Sequence, residues 1–138
     1  MKRGVNPDLG LAILRVVVGV IFIAHGAPKL FGGIDQTGAF FASLGIPIPV
    51  AAAWAIGALE FVGGMALVVG FLISPVALLL AAHMLTGIVL FHAARGFYVV
   101  GPEANQGLEF NLILLASLLM LVFGGPGLAA MDSRKSSI

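Results

Sequence analysis

Residues 9–30 have the sequence LGLAILRVVVGVIFIAHGAPKL, a nearly unbroken apolar stretch that contains Arg15. At about 1.5 Å of rise per residue, roughly 20 helical residues cross the ~30 Å hydrocarbon core of a bilayer. Asn6, Pro7 and Asp8 precede the stretch, a pattern typical of a helix N-cap with a proline in the first turn. The stretch therefore predicts a membrane-spanning helix. Because Arg15 interrupts the apolar run, we do not expect a cleaved signal peptide.

Three further apolar stretches follow, at residues 50–73, 76–94 and 108–123. The first two are long enough to cross a bilayer, whereas the last is short and would need a thin membrane or extra helical turns. Ser74 and Pro75 predict a cap, a first-turn proline and a tight turn between two antiparallel helices. The sequence thus predicts an all-α membrane protein. We expect a single domain over residues 1–138, an antiparallel four-helix transmembrane bundle with both termini on the same side.

The composition indicates the same class. Of the 138 residues, 60% are hydrophobic and only 9% are charged, against about 25% in soluble domains. No Lys/Arg run is long enough to suggest a nucleic-acid partner, so the lipid bilayer is the partner we expect. The chain has no cysteine, which excludes disulfides, thiolate metal sites and dithiol redox relays within it. Any redox chemistry must therefore use a bound cofactor, a quinone or a partner protein.

The basic residues outside the spans suggest an orientation. Four lie on the terminal side and two on the opposite side: Lys2, Arg3, Arg134 and Lys135, against Lys29 and Arg95. Under the positive-inside rule this excess predicts cytoplasmic termini.

Three ionisable residues, Arg15, Glu60 and His83, each lie near the middle of a different apolar stretch. A charged side chain at bilayer depth costs roughly 2.5–3.5 kcal/mol on insertion scales, so such groups tend to pair or mark function. Counting residues gives overlapping depths, which permits an Arg15–Glu60 ion pair with His83 as a third member. We predict these residues as the catalytic group, with His83 exchanging a proton. Alternatively, the Arg15–Glu60 pair is a purely structural link between helices.

A second polar group is expected at the outer face, where it would line the mouth of a cavity and bind a ligand. It consists of His25, Lys29, His92, Glu109 and Asn111. His25 and Lys29 could instead be interfacial anchors. His83 and His92 are nine residues apart and would face opposite sides of a regular helix, and no metal-ligand spacing is present, so we predict no metal site.

Small residues indicate close helix packing. Gly57, Glu60 and Gly64 recur at helical spacing, and Gly19 lies one turn from Arg15. Such glycines let neighbouring transmembrane helices approach closely.

One ordered series of residues resembles the DoxX family of small bacterial membrane proteins. The series covers Leu14, Arg15, Gly19, Phe22, His25, Gly26, Lys29 to Gly32, Phe41, Leu44 to Pro47, Glu60, Gly63, Gly64, Leu67, Gly70, Met84, His92, Gly96, Phe97, Gly107, Glu109, Gly124, Pro126, Gly127 and Asp132. The resemblance implies a four-helix membrane bundle in the bacterial cytoplasmic (inner) membrane. It also implies a link to oxidoreductases, since DoxD-type relatives are described as subunits of a thiosulfate:quinone oxidoreductase and others are linked to thiol and oxidative-stress defence.

Three functions remain open from the sequence. The first is a component of a membrane oxidoreductase that handles a quinone or similar hydrophobic redox molecule, with electrons supplied by a partner protein. The second is a non-catalytic subunit or assembly factor of a redox complex. The third is a small-solute or proton carrier, and a homo-oligomer would suit so short a chain.

Overall fold

The computed structural model describes residues 4–133, which contain helices and loops but no strand. Lys2, Arg3, Arg134 and Lys135, on which the predicted orientation depends, lie outside this range. The helices are α1 (Pro7–Leu30), α2 (Ile34–Ser43), α3 (Pro49–Val69), α4 (Ile73–Gly87) and α5 (Glu109–Gly124). A π-helical turn (Ile88–His92) and a 3₁₀ turn (Ala93–Arg95) extend α4. The all-α prediction is confirmed, with three helices long and apolar enough to cross a membrane, Pro7–Leu30, Pro49–Val69 and Ile73–Arg95, while α5 is shorter.

The predicted start of α1 is confirmed. The side chain of Asn6 accepts hydrogen bonds from the backbone N–H groups of Asp8 and Leu9, and Pro7 occupies the first turn. These bonds satisfy two of the N–H groups that have no partner inside the helix.

The α3–α4 connection differs from the prediction. α3 ends at Val69, and Gly70 adopts a left-handed conformation (φ 77°) that closes the helix. α4 already begins at Ile73, so Ser74 lies inside its first turn and does not cap it. The cap comes from a distant residue, Asp132, which no local pattern could indicate.

Glycines set the contact between α1 and α3. A Cβ atom at Gly19 would lie 2.7 Å from the Gly64 carbonyl oxygen, and one at Gly64 would lie 2.7 Å from the Gly19 carbonyl oxygen. At Gly26 it would lie 2.5 Å from the Phe61 nitrogen. The two backbones therefore touch, as the glycine pattern predicted, and their contacts run in opposite directions along the two helices.

Buried side chains of α1, α3, α4 and α5 form one core cluster. It contains Leu11, Val18, Phe22, Leu67, Ile73, Ala77, Leu80, Ala81, Met84, Leu114, Leu118 and Leu121. This core packs together the four helices that carry Arg15, Glu60, His83 and Asn111.

The segment after α5 folds back onto the other helices. The Leu128 N–H donates to the Asp8 carbonyl, and the Asp132 N–H donates to the Gly70 carbonyl. The Asp132 carboxylate accepts from the N–H groups of Leu72 and Ile73, at 3.0 and 2.8 Å. These bonds cap α4 and hold Leu72 in a left-handed conformation (φ 49°), which is uncommon for leucine.

Replacing Asp132 with alanine is therefore expected to lower the free energy of unfolding by about 1–2 kcal/mol, the usual cost of a lost cap. Thermal unfolding in detergent measures the change. Ser133→Ala is the matched control, because Ser133 is exposed and its hydroxyl reaches only the Gly127 carbonyl. Equal stabilities of the two variants would show that the Asp132 cap contributes nothing.

Candidate functional site

A cavity of about 860 Å³ lies between α1, α2, α3, α4 and α5. This volume is within the range of small-molecule sites, about 300–1,000 Å³. Five phenylalanines contribute to its mainly apolar wall: Phe22, Phe40, Phe41, Phe91 and Phe110. Six of the eight predicted site residues also line it: His25, Lys29, Glu60, His83, His92 and Asn111. The cavity therefore combines an aromatic wall with a small number of polar side chains.

Glu60 is the centre of the charged group in this wall. Its side chain is buried (3% exposed), and its two carboxylate oxygens have different partners. Oε1 accepts a hydrogen bond from His83 Nε2 at 2.8 Å, and Oε2 accepts one from the Lys29 ammonium group. A carboxylate buried in this way is stabilised by a cation and a hydrogen bond together. The same contacts leave the Lys29 and His83 side chains half-buried beside the open cavity.

The glycine contacts explain why Lys29 reaches Glu60. A Cβ atom at Gly26 would lie 2.9 Å from the Glu60 Cβ, and one at Gly57 would lie 3.4 Å from the Lys29 Cβ. Lys29 and Glu60 thus lie on the two faces that these glycines bring together. The last turn of α1 is consequently folded against α3, and the lysine side chain points into the cavity wall.

The predicted Arg15–Glu60 ion pair is not formed. Arg15 is buried (2% exposed), and its Nη1 donates to the carbonyls of Leu67 and Val68 at 2.8 and 2.9 Å. Nη2 donates to the Leu128 carbonyl at 3.1 Å. Because α1 and α3 contact each other in opposite directions, Arg15 meets the end of α3, whereas Glu60 lies at least seven residues earlier on that helix. Arg15 does not line the cavity.

Arg15 completes the hydrogen bonding at the end of α3. The last four carbonyls of a helix lack intrahelical partners. In α3, the Ala66 and Leu67 carbonyls accept from Gly70 N–H, and the Val69 carbonyl accepts from Met131 N–H. Arg15 supplies the donors for Leu67 and Val68. A cation at this position also interacts favourably with the negative end of the helix dipole.

Glu109, predicted as a ligand-binding residue, does not line the cavity either. It begins α5, and its Oε1 accepts from the Val99 N–H at 2.7 Å. Backbone bonds from Leu108 to Gly96 and from Gly107 to Tyr98 tie down the same loop. Glu109 therefore helps to hold the loop between α4 and α5.

The direction of the His92 side chain also differs from the prediction. Nine residues of regular α-helix would place it opposite His83, yet both histidines line the cavity. The reason is the π-helical turn Ile88–His92, whose wider i→i+5 turn changes the direction of the side chains that follow. His92 Nδ1 bonds the Gln106 carbonyl at 2.7 Å. Among the residues that the structure describes, no group of three or more His, Asp or Glu side chains is placed to hold a metal ion.

α2 was not predicted, since no helix was expected between the apolar stretches at residues 9–30 and 50–73. Thr37, Phe40, Phe41 and Leu44 have the i, i+3, i+4, i+7 spacing of an amphipathic helix, and all four line the cavity. The helix lacks a side-chain N-cap, so the signal that marked α1 is absent here. α2 and the loop before α5 add polar cavity residues that were not predicted: Gln36, Thr37 and Gln106.

The arrangement can bind a flat apolar molecule against phenylalanine side chains and present charged groups to its polar edge. His83 Nε2 and Glu60 Oε1 are within hydrogen-bond distance, so a proton can move between them. The Lys29 ammonium group donates a hydrogen bond to the other carboxylate oxygen of Glu60.

Comparisons with known proteins agree with a membrane location. A family model described as DoxX matches residues 10–93. "Inner membrane protein YphA" of Escherichia coli is 33% identical over 126 residues, which cover 90% of this chain and 89% of that protein. "Putative oxidoreductase CatD" of Bacillus subtilis is 30% identical over 125 residues, 91% of this chain and 86% of CatD. A Haemophilus influenzae protein without assigned function is 36% identical over 127 residues, 90% of this chain and 89% of its own length. No solved structure matches the chain.

Proposed function

The chain belongs to the DoxX family of membrane proteins, and from this premise we propose that it binds a quinone, or a similar hydrophobic redox molecule, in the cavity and supplies protons to it. The observation that carries the proposal is the position of Glu60, held between Lys29 and His83 in the wall of an aromatic cavity. A buried carboxylate at membrane depth is costly, so a function is the default interpretation of such a group.

The chemistry of a quinone suits these residues. Reduction to the quinol requires two electrons and two protons. Lys29 and His83 would orient the polar edge of the ring, and the hydrogen-bonded His83–Glu60 pair would pass two protons to it in turn, taking up each one again from water at the opening of the cavity. The phenylalanines would stack against the apolar ring. The electrons would come from a partner oxidoreductase, and the naming of the relative CatD as an oxidoreductase supports this class of reaction.

We also propose the number of membrane spans and the membrane in which the protein lies. α5 would be a fourth span that completes a four-helix bundle, helped by the apolar segment that follows it. YphA, which is named as an inner membrane protein, supports a location in the bacterial inner membrane. The excess of Lys and Arg near the two ends of the sequence supports cytoplasmic termini.

Binding of 2-methyl-1,4-naphthoquinone to the purified protein in detergent tests the proposal directly. We expect calorimetry to show saturable binding with one site per chain. Ile56→Trp places a large side chain in the cavity, because Ile56 lines it. The affinity of this variant for the quinone should be lower by about tenfold or more, since the quinone ring and the tryptophan side chain compete for the same volume.

The matched control is Ala55→Trp, one residue away on the exposed side of α3. It should bind the quinone as the wild-type protein does. Absence of binding to the wild-type protein, or equal loss in both variants, would contradict the proposal. In that case an assembly role or solute transport would have to be tested, the latter by flux measurements in liposomes.

A further inference from the structure

A second set of polar groups lines the cavity away from Glu60. His92 Nδ1 bonds the Gln106 carbonyl, and a carbonyl can only accept, so Nδ1 carries the proton. In the neutral ring, Nε2 is therefore left as an acceptor, and in the charged ring it is a second donor. No other hydrogen bond of His92 is present within residues 4–133.

Asn111 lies next to this histidine. It lines the cavity, is half-buried, and its side-chain amide has no hydrogen-bond partner among the described residues. Gly87 lies beside both side chains. A Cβ atom there would lie 3.4 Å from Asn111 Nδ2 and 3.9 Å from His92 Cδ2. The missing side chain of Gly87 thus leaves a gap beside the Asn111 amide and the His92 ring.

This gap is close to the charged group. Gly87 follows His83 by four residues on α4, so the two positions lie on the same helix face about 6 Å apart. The Asn111 amide and the His92 ring, which lie beside Gly87, are thus about one helical turn from His83, whose Nε2 bonds Glu60.

We propose that Asn111 and His92 form a second hydrogen-bonding subsite, about one helical turn from the Glu60 group and opened by Gly87. Since the amide and the imidazole can both donate and accept, the subsite fits either a carbonyl or a hydroxyl oxygen. The ligand is then a ring system that carries two separate oxygen functions, one bound at each subsite. This inference rests on the proposed function and narrows its ligand class to diones and the corresponding diols, as opposed to monophenols or single ketones.

The test compares two probes, 2-methyl-1,4-naphthoquinone and 2-methyl-1-tetralone, which lacks the second carbonyl oxygen. Because the chain has no cysteine, addition of a protein thiol to the quinone cannot imitate binding. We expect wild-type protein to prefer the dione, and we expect Asn111→Leu to reduce that preference about three- to tenfold, the range for one hydrogen bond.

Gly87→Ala is the second variant. It places a methyl group in the gap at ordinary contact distance, and alanine is the better helix former, so the melting temperature should stay the same or rise. A fall in dione preference without a fall in stability is not expected of a purely structural residue. Ser117→Ala is the matched control, because Ser117 lies on the same helix as Asn111 but outside the cavity, and its hydroxyl bonds the Ile113 carbonyl.

Each outcome is decisive. Loss of the dione preference in Asn111→Leu and Gly87→Ala, with retention in Ser117→Ala, supports the second subsite. Binding of both probes with an unchanged preference in all variants overturns the subsite and leaves the proposed function standing. Failure of the wild-type protein to bind either probe overturns both.

Discussion

Replacement of Arg15 with methionine is expected to lower the free energy of unfolding by about 3 kcal/mol or more, without changing the affinity of the cavity for a naphthoquinone. The guanidinium group donates to three carbonyls, and the Val68 carbonyl has Arg15 as its donor. Each buried polar group left without a partner costs about 1–3 kcal/mol. Methionine keeps a long apolar side chain, so the loss reports on the hydrogen bonds more than on packing.

Thermal or denaturant unfolding in detergent measures the effect, and calorimetry with 2-methyl-1,4-naphthoquinone measures the cavity. Arg15→Lys is an informative companion, because it retains the charge but cannot supply the planar set of donors that bonds Leu67, Val68 and Leu128 together. It should fall between wild type and Arg15→Met in stability. If instead Arg15→Met were stable and failed to bind the quinone, Arg15 would belong to the binding site after all.

The long helices could be predicted because their signals are local. Apolar length defines the spans, and Asn6 followed by Pro7 defines the start of α1. The start of α4 could not be predicted, since its cap is the side chain of Asp132, some sixty residues further along the chain. α2 did carry a local signal in its amphipathic spacing, but it is short and lacks the N-cap residue that marked α1.

The predicted partner of Glu60 was wrong because the depth of a residue in the membrane does not determine which residues of two neighbouring helices face each other. Counting residues placed Lys29 at the outer face and only Arg15 at the depth of Glu60. The close contact of Gly19 with Gly64 shows the actual register. From that point Arg15 meets residues after Gly64, and Lys29 meets residues before it. The glycine contact therefore accounts for the pairing of Glu60 with Lys29 and not with Arg15.

The predicted helix face for the His92 side chain was wrong for another reason. The prediction assumed a regular α-helix from His83 onward, whereas residues Ile88–His92 form a π-helical turn. No residue type specifies such a turn reliably. The turn is accompanied by Phe91 packing edge-on against Phe40 of α2, with 4.9 Å between ring centroids, and by Arg95 lying 3.9 Å above the Phe91 ring. Contacts with a helix that was itself missed thus lie beside the turn that brings His92 into the cavity.

Substitution of Glu60 by glutamine is expected to slow the proton-coupled reduction of bound 2-methyl-1,4-naphthoquinone by about 100-fold or more, the contribution typical of a positioned acid–base group. Glutamine has the same shape and can still bond His83, but it cannot take up and release a proton at neutral pH. Stopped-flow reduction with dithionite supplies the electrons, so the measurement needs no natural donor. Glu109→Gln is the matched control, because the Glu109 carboxylate lies outside the cavity and bonds the Val99 N–H.

A slower reaction could also follow from damage to the fold, since Glu60→Gln leaves the half-buried Lys29 ammonium without its counter-charge. The double variant Glu60→Gln/Lys29→Met removes this imbalance. Its free energy of unfolding should be roughly 1–2 kcal/mol higher than that of the single variant, which recovers most of the lost stability. The reason is that removing one partner of a buried ion pair costs more than removing both. Its reduction rate should stay low, since the proton donor is still missing. A double variant that regained both stability and rate would show that Glu60 and Lys29 serve only to hold α1 against α3, and proton transfer through Glu60 would have to be abandoned.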